Sequence, residues 1–160
     1  MLIFEKGSIE SFRNEYTFLS NFYFSFVLYD DVVWKTAEHA YQASKTLEPK
    51  EKMWIMDCPT PHLAKDLGKK LTLREDWDKV KVQIMRNIVN EKFQCNIPLK
   101  EKLIETHPSI LIEGNLWHDN FWGICKCIKC ESAKVKHNHL GFILMELRNQ
   151  YINENLFFEE

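Results

Sequence analysis

The segment Trp34-Lys-Thr-Ala-Glu-His-Ala-Tyr-Gln-Ala-Ser-Lys45 constrains this chain most, because it encodes a helix that carries polar groups as well as a packing face. Thr36 suits the N-cap, where its hydroxyl accepts from free backbone N–H groups; Glu38 and His39 then fall in the first turn. At 3.6 residues per turn, Glu38, Tyr41, Gln42 and Lys45 share one side, while Ala37, Ala40 and Ala43 let neighbours come close. Two readings are open. An early acid with a lysine seven residues later commonly makes a solvated, dipole-matched face worth roughly 0.3–1 kcal/mol per charge. A carboxylate, an amide, a phenol and an amine on one stripe also make a site.

With 160 residues and 45% hydrophobic content, the chain is expected to form one domain, residues 1–153, with a frayed acidic tail at 154–160. Five Gly and five Pro argue against a turn-rich all-β fold, and a formal charge of −2 against a broad nucleic-acid-binding surface. The N-terminus lacks a basic-then-apolar signal region and no run approaches the ~20 apolar residues of a membrane span, so a cytoplasmic protein without a membrane partner is expected. In a reducing compartment the five Cys are thiols or metal ligands instead of a disulfide framework.

In chain order, Phe18 to Phe22 reads as a loop entering the fold. Phe24–Tyr29 and Val32–Trp34 flank Asp30-Asp31, a polar break that suits a hairpin. Helices are predicted at about Ala37–Thr46, Pro49–Met56, after Thr60-Pro61, from Trp77 to about Phe93 capped by Asp76, and from Pro98. Leu111-Ile112 is a candidate strand, residues 113–137 a long connection, and Asn138 the cap of a last helix with Leu140, Ile143, Leu144 and Leu147 inward. The fold class is α+β: a mostly helical single domain with a small N-terminal antiparallel β-sheet.

The long connection holds Trp117-His-Asp-Asn-Phe-Trp-Gly123, whose aromatic and polar residues either stack on a heterocycle or plug the core. Cys125-Lys-Cys-Ile-Lys-Cys130 supplies three thiolates at metal-ligand spacing. A fourth zinc ligand would come from His118, His137, His139, Cys95 or Cys58; free thiols are the commoner outcome, so zinc is possible but not expected. Lys126, Lys129, Lys134, Lys136, His137 and His139 make the connection locally basic. Such a loop, feeding a helix N-terminus, either meets a phosphate or is simply solvated.

Taken together, these pieces resemble the NADAR domain family, the YbiA-like N-glycosidases, over roughly residues 16 to 151. The resemblance is carried by Leu19-Ser20-Asn21-Phe22; Trp34-x-Thr36-x-Glu38-His39-x-Tyr41-Gln42-Ala43-x-Lys45; Leu67-Gly68-Lys69; Trp77 with Met85 and Lys92-Phe93; Asp119-x-x-Trp122-Gly123; and Asn138-x-Leu140-Gly141 through Arg148. It implies an enzyme that cleaves N-glycosidic bonds to ribose. Some members act on phosphoribosyl-aminopyrimidine intermediates of riboflavin biosynthesis, and others remove ADP-ribose from guanine in nucleic acid. The expected substrate is therefore a phosphorylated ribosyl or ADP-ribosyl small molecule, or ADP-ribosylated nucleic acid. A non-catalytic ADP-ribose-binding module is the alternative from another class.

Carried over by position, the resemblance makes Glu38 and Lys45 catalytic and Asn21, Phe22, Trp34, Tyr41, Gln42, Trp77, Asp119, Trp122 and Asn138 substrate-binding. Three departures bear on substrate. Gly68-Lys69 stands where many members have Gly-Arg, Asn138-His139-Leu140-Gly141 where they have Asn-Arg-Leu-Gly, and Ile124 where an acid often follows Trp-Gly. Loss of a bidentate guanidinium changes how a phosphate or base edge is gripped. Glu38, early in a helix, is expected to work as a carboxylate. Lys45 has two open roles: an ammonium that stabilises charge, or a free amine that forms a Schiff base with ring-opened ribose. No cofactor is required, and zinc at Cys125, Cys127 and Cys130 would be structural.

Overall fold

In the computed structural model, described over residues 7–156, fourteen short and long elements follow one another. Strand β1 (Ser8–Ile9) leads through a 3-10 turn (Asn14–Leu19) to strands β2 (Val27–Tyr29) and β3 (Val32–Trp34). Four helices follow: α1 (Ala37–Ala43), α2 (Pro49–Asp57), α3 (Pro61–Gly68) and α4 (Trp77–Gln94). Next come α5 (Ile97–Glu105), strands β4 (Ile110–Leu111), β5 (Gly114–Asn115) and β6 (Ile124–Cys125), a second 3-10 turn (Ile128–Cys130) and α6 (His139–Leu156). The chain forms two compact units, Asn21–Ile97 and a second built from Met1–Ser20 with Pro98–Glu160. Among the described residues, no helix is long and apolar enough to cross a membrane.

The unit Asn21–Ile97 is built around α1, against which α2, α3, α4 and the β2–β3 hairpin all pack. Ala37, Ala40 and Ala43 are buried, and their small side chains are what let three helices approach one axis. From α4, Ile84, Met85, Ile88, Val89 and Phe93 face inward at helical spacing. Each such buried side chain contributes roughly 1.5–3 kcal/mol of hydrophobic stabilisation. The hairpin forms at Asp30-Asp31 as expected, with its first strand starting at Val27 instead of Phe24. Asp30 and Asp31 take φ of 54° and 58°, the left-handed pair that a two-residue type I′ connection demands. Asp76 stands at the N-cap of α4, but its side chain makes no capping bond; the carboxylate is drawn instead into an ion pair with Arg74, at 2.6 Å from Nε.

In the second unit α6 lies on β4, with Leu140, Ile143, Leu144, Leu147 and Tyr151 buried. The approach is so close that a Cβ on Gly141 would sit 2.2 Å from the Leu111 carbonyl oxygen. Buried Arg148 donates through Nη1 to Thr106 Oγ1 and to the Ser109 carbonyl, both at 2.9 Å, tying α6 to the segment before β4. The small N-terminal antiparallel sheet is present as β2–β3, and the strand expected at Leu111-Ile112 forms one residue earlier, as β4. The antiparallel β2–β3 pair is joined by two parallel pairs, β1–β4 and β5–β6, and the last two strands lie inside the 113–137 connection. Strands of two residues have no alternation to detect, and Ser8 finds its partner at Ile110, far along the chain. The last helix continues through Leu156, past the start of the tail expected to fray; residues 157–160 lie outside the described residues.

Candidate active site

Every residue of α1 is buried, which rules out the solvated-face reading of its polar stripe. Glu38 is 6% exposed, Gln42 3% and His39 0%. Polar groups at such depth must be partnered or await a partner. The predicted cap is present: Thr36 Oγ1 accepts from the His39 N–H at 3.2 Å. The same hydroxyl lies 2.7 Å from His39 Nδ1, and Nε2 lies 3.1 Å from the Cys58 carbonyl. A carbonyl only accepts, so Nε2 carries the proton and Nδ1 receives the Thr36 hydroxyl. Burial pushes the His39 pKa down, holding the ring neutral. His39 is a brace between α1 and the end of α2.

Glu38 is the centre of a different set. Its backbone N–H donates to the Asn21 carbonyl at 3.0 Å, which pins the Asn21 loop to the start of α1. Gln42 Nε2 donates to Glu38 Oε1 at 2.6 Å. That bond turns Gln42 Oε1 away, and this oxygen is buried with no hydrogen-bond partner among the described residues. Asn21 Oδ1 is in the same state, while its Nδ2 donates to Met85 Sδ at 3.2 Å. Each orphaned buried acceptor costs roughly 1–3 kcal/mol. Gln42 thus offers an unsatisfied acceptor next to the Glu38 carboxylate, and Asn21 a second one on the loop bonded to the start of α1.

Gly68, at the end of α3, sets where Gln42 lies. A Cβ there would fall 1.8 Å from Gln42 Oε1 and 2.7 Å from its Cδ. Gly68→Ala is expected to swing Gln42 off Glu38, reducing kcat about tenfold while lowering stability by only about 1 kcal/mol. Steady-state kinetics and a denaturation curve on the same preparation check this, and unchanged kinetics would show that the Gln42–Glu38 bond is irrelevant to turnover.

The helix stops at Ala43, three residues before the expected end, so Lys45 lies beyond it. Its main chain is nevertheless fixed: the N–H donates to the Gln42 carbonyl at 3.2 Å, and the carbonyl accepts from the Arg74 N–H at 2.8 Å. Burial pushes the Lys45 pKa down, the Glu38 carboxylate pulls it back up, and Lys65 and Lys69 depress it further. Lys45 Nζ lies 5.7 Å from the centre of the Tyr41 ring, which itself meets Trp77 at 5.2 Å between centroids. Phe22 stacks edge-on against His62 at 4.7 Å, with Lys65 Nζ 5.6 Å from its ring. Asn21, Glu38, Gln42, Lys45, Tyr41 and Trp77 thus belong to one connected set in this unit. Trp34 does not join it; its indole is buried and donates to the Tyr29 carbonyl at 3.1 Å, closing the hairpin.

Sequence spacing does not single out one further buried group. Lys92, at an inward position of α4, is 1% exposed, with its Nζ 5.3 Å from the Phe93 ring and 5.7 Å from the Tyr23 ring. Burial lowers its pKa to about 7. The available signal is a lysine in register with Trp77, Ile84 and Ile88, a pattern that equally fits an aliphatic stem whose amine reaches water.

In the second unit the expected binding residues hold up a loop. Asp119 Oδ1 accepts from the Phe121 and Trp122 N–H groups at 3.0 and 2.8 Å, and Asn120 Oδ1 from the Cys125 N–H at 2.9 Å. Asn138 sits at φ 51° and spends its amide on the Leu111 carbonyl and the Glu113 N–H, so its side chain is not the cap expected for α6. The phosphate reading of this helix start also changes. The N–H groups of Asn138, His139 and Leu140 donate to the carbonyls of Gly123, Phe121 and Trp122, leaving those donors spent. Phe121 packs against Trp122 and His139, and His137 stacks on His139 with centroids 5.0 Å apart. Lys126 pairs with Glu10, and Lys136 donates to the Cys125 carbonyl. Cys125, Cys127 and Cys130 gather with His118.

Known proteins resemble this arrangement in sequence and in fold. The NADAR domain profile matches residues 9–151. N-glycosidase Npun_R5314 of Nostoc punctiforme is 38% identical over 143 residues, covering 86% of this chain and 87% of that protein. N-glycosidase YbiA of Escherichia coli is 34% identical over 142 residues, covering 88% and 84%. The NMR structure of the E. coli protein YbiA superposes with a TM-score of 0.81 over 96% of this chain and 90% of that one, at 32% identity. Riboflavin biosynthesis protein VVA0006 of Vibrio vulnificus is 32% identical over 137 residues, which are 83% of this chain but 35% of that longer protein.

Proposed function

The chain belongs to the NADAR domain family, and from that premise we propose that it is an N-glycosidase. It hydrolyses the bond between ribose C1′ and the nitrogen of an aminopyrimidine or base in a phosphorylated ribosyl substrate. The observation that carries this reading is the buried Glu38 carboxylate, bonded to Gln42, whose own side-chain oxygen is buried without a partner. Relatives named N-glycosidase, and one named for riboflavin biosynthesis, support the reaction type and the substrate class.

Cleavage sends the electron pair of the C1′–N bond to the nitrogen and leaves positive charge on the ribose ring. A fixed carboxylate is the group that meets this charge, because it is already oriented when the charge develops. Glu38 does so here, and it accepts the proton of the water that adds to C1′. The orphaned Gln42 and Asn21 oxygens accept ribose hydroxyls, repaying their burial. Tyr41 and Trp77 supply the aromatic surface for the heterocycle. Lys45, as an ammonium, stabilises the departing nitrogen or the phosphate.

The depressed pKa of Lys45 favours a second role for that residue. As a free amine it adds to C1′ of the ring-opened N-ribosyl substrate and expels the base, which leaves with a proton from the amine, forming a Lys45–C1′ imine; water then hydrolyses the imine, releasing the ribose phosphate and restoring the amine. Borohydride quenching during turnover separates the two. Imine chemistry predicts a ribosyl adduct on Lys45 detectable by peptide mass spectrometry and absent from Lys45→Arg, whereas a purely electrostatic Lys45 yields no adduct.

The function itself is tested by offering the purified protein ribosylaminopyrimidine phosphates and, separately, ADP-ribosylated guanine nucleotides, with released base read by mass spectrometry. Base release from the first set is expected. Release from the second set alone reassigns the substrate to an ADP-ribosyl conjugate. ADP-ribose binding with no release from either makes the protein a reader and overturns the glycosidase.

A further inference from the structure

We propose that His118, Cys125, Cys127 and Cys130 form a closed, structural zinc site that pins the 118–130 loop, a role separate from the reaction above. The four ligand atoms all lie within 4.8 Å of one another. His118 Nδ1 is 3.3 Å from both Cys127 Sγ and Cys130 Sγ. Four donors on a tetrahedral zinc, with Zn–S near 2.3 Å and Zn–N near 2.0 Å, stand about 3.5–3.8 Å apart, so the observed spread, from 3.3 Å to at most 4.8 Å, needs only small adjustments.

Hydrogen bonding alone does not account for the cluster. A neutral imidazole nitrogen has one lone pair and accepts one S–H, yet two thiols converge on Nδ1 with a third alongside. A single divalent cation satisfies all four groups at once. The donor set, three sulfurs and one imidazole, selects zinc over magnesium or calcium, and four protein ligands leave no open position for catalysis. Binding releases the three thiol protons to solvent, giving a site with three thiolates and a neutral histidine.

The backbone around the cluster is shaped for this. Cys125 is buried at the end of β6, where its N–H donates to Asn120 Oδ1 at 2.9 Å and fixes the backbone that carries the thiol. Cys127 precedes the 3-10 turn whose Cys130 N–H donates to the Cys127 carbonyl at 3.0 Å, a tight bend that brings both sulfurs to one side. His118 reaches them from a left-handed backbone, φ 67°, of the kind found at ligand clamps. His137 and His139, which follow the loop, are stacked on each other. All three thiols are free, and Cys58 and Cys95 lie outside the cluster.

The full chain, expressed with zinc and passed through a desalting column containing EDTA, should retain one zinc per chain by elemental analysis, released by a mercurial. Reloading the reduced apoprotein with cobalt(II) alone should give thiolate-to-metal charge-transfer bands and the intense visible bands of a tetrahedral centre. Cys127→Ser with Cys130→Ser should lose both signals, and Cys95→Ser should keep both. The wild-type cobalt spectrum decides the question even if the double variant fails to fold. Absence of retained zinc together with a cobalt spectrum lacking charge transfer overturns the site, as does zinc that persists in a folded Cys127→Ser, Cys130→Ser protein.

Discussion

Replacing Glu38 with glutamine is expected to lower kcat by about 10²–10⁴-fold, the range for removing a positioned acid–base group, while leaving the fold intact. The substitution keeps size and shape but removes the negative charge that faces the developing ribose cation. It also keeps a hydrogen bond available. Gln42 now donates to Glu38, and its own Oε1 is unpartnered, so a rotated Gln42 amide can accept from the introduced side-chain amide instead. Stability should therefore change by no more than about 1 kcal/mol. Base release by mass spectrometry and a denaturation curve on the same variant read the two effects separately. Turnover near that of the wild type would remove Glu38 from the chemistry.

The second large effect concerns Lys92 and pH. Its pKa is about 7 in the fold, through burial, and that of an unfolded lysine is 10.5. Between these values the unfolded chain binds the extra proton, so stability rises with pH by up to about 1.4 kcal/mol per unit. Below about pH 7 both states are charged and the full cost of burying the ammonium is present. Lys92→Met, of similar length and without a charge, should lose this pH dependence, so that its stability relative to the wild type is most favourable at neutral pH and falls progressively as the pH approaches the ordinary lysine value. Chemical denaturation of both proteins at several pH values in that window tests it. Parallel profiles would mean that Lys92 keeps its proton in the fold.

Much of the helical framework was legible because local rules act within a few residues. Thr36 and Thr60 cap as their sequence predicts, Pro49 and Pro61 open their helices, and Asp30-Asp31 turns the hairpin. The inward residues of α6 followed from spacing alone. The failures share a cause. Asp76 had a competing partner in Arg74, and Asn138 had the backbone of Glu113 and Leu111. Local propensity cannot rank such competitors, because they enter through tertiary neighbours. The parallel β1–β4 and β5–β6 pairs were invisible for a related reason: each strand has two residues, and its partner is set by the path of the chain.

By itself, the sequence determined that α1 would form, that Glu38 and Gln42 would lie one turn apart, and that three cysteines would fall at ligand spacing. These are consequences of backbone geometry over a few residues. The tertiary structure alone decided what surrounds them. It buried α1 on every side, oriented Gln42 against Gly68, depressed Lys45 and Lys92 by desolvation, and brought His118 rather than His137 or His139 to the thiols. Desolvation and donor convergence depend on atoms supplied by residues distant in sequence, so neither can be read from a single stretch.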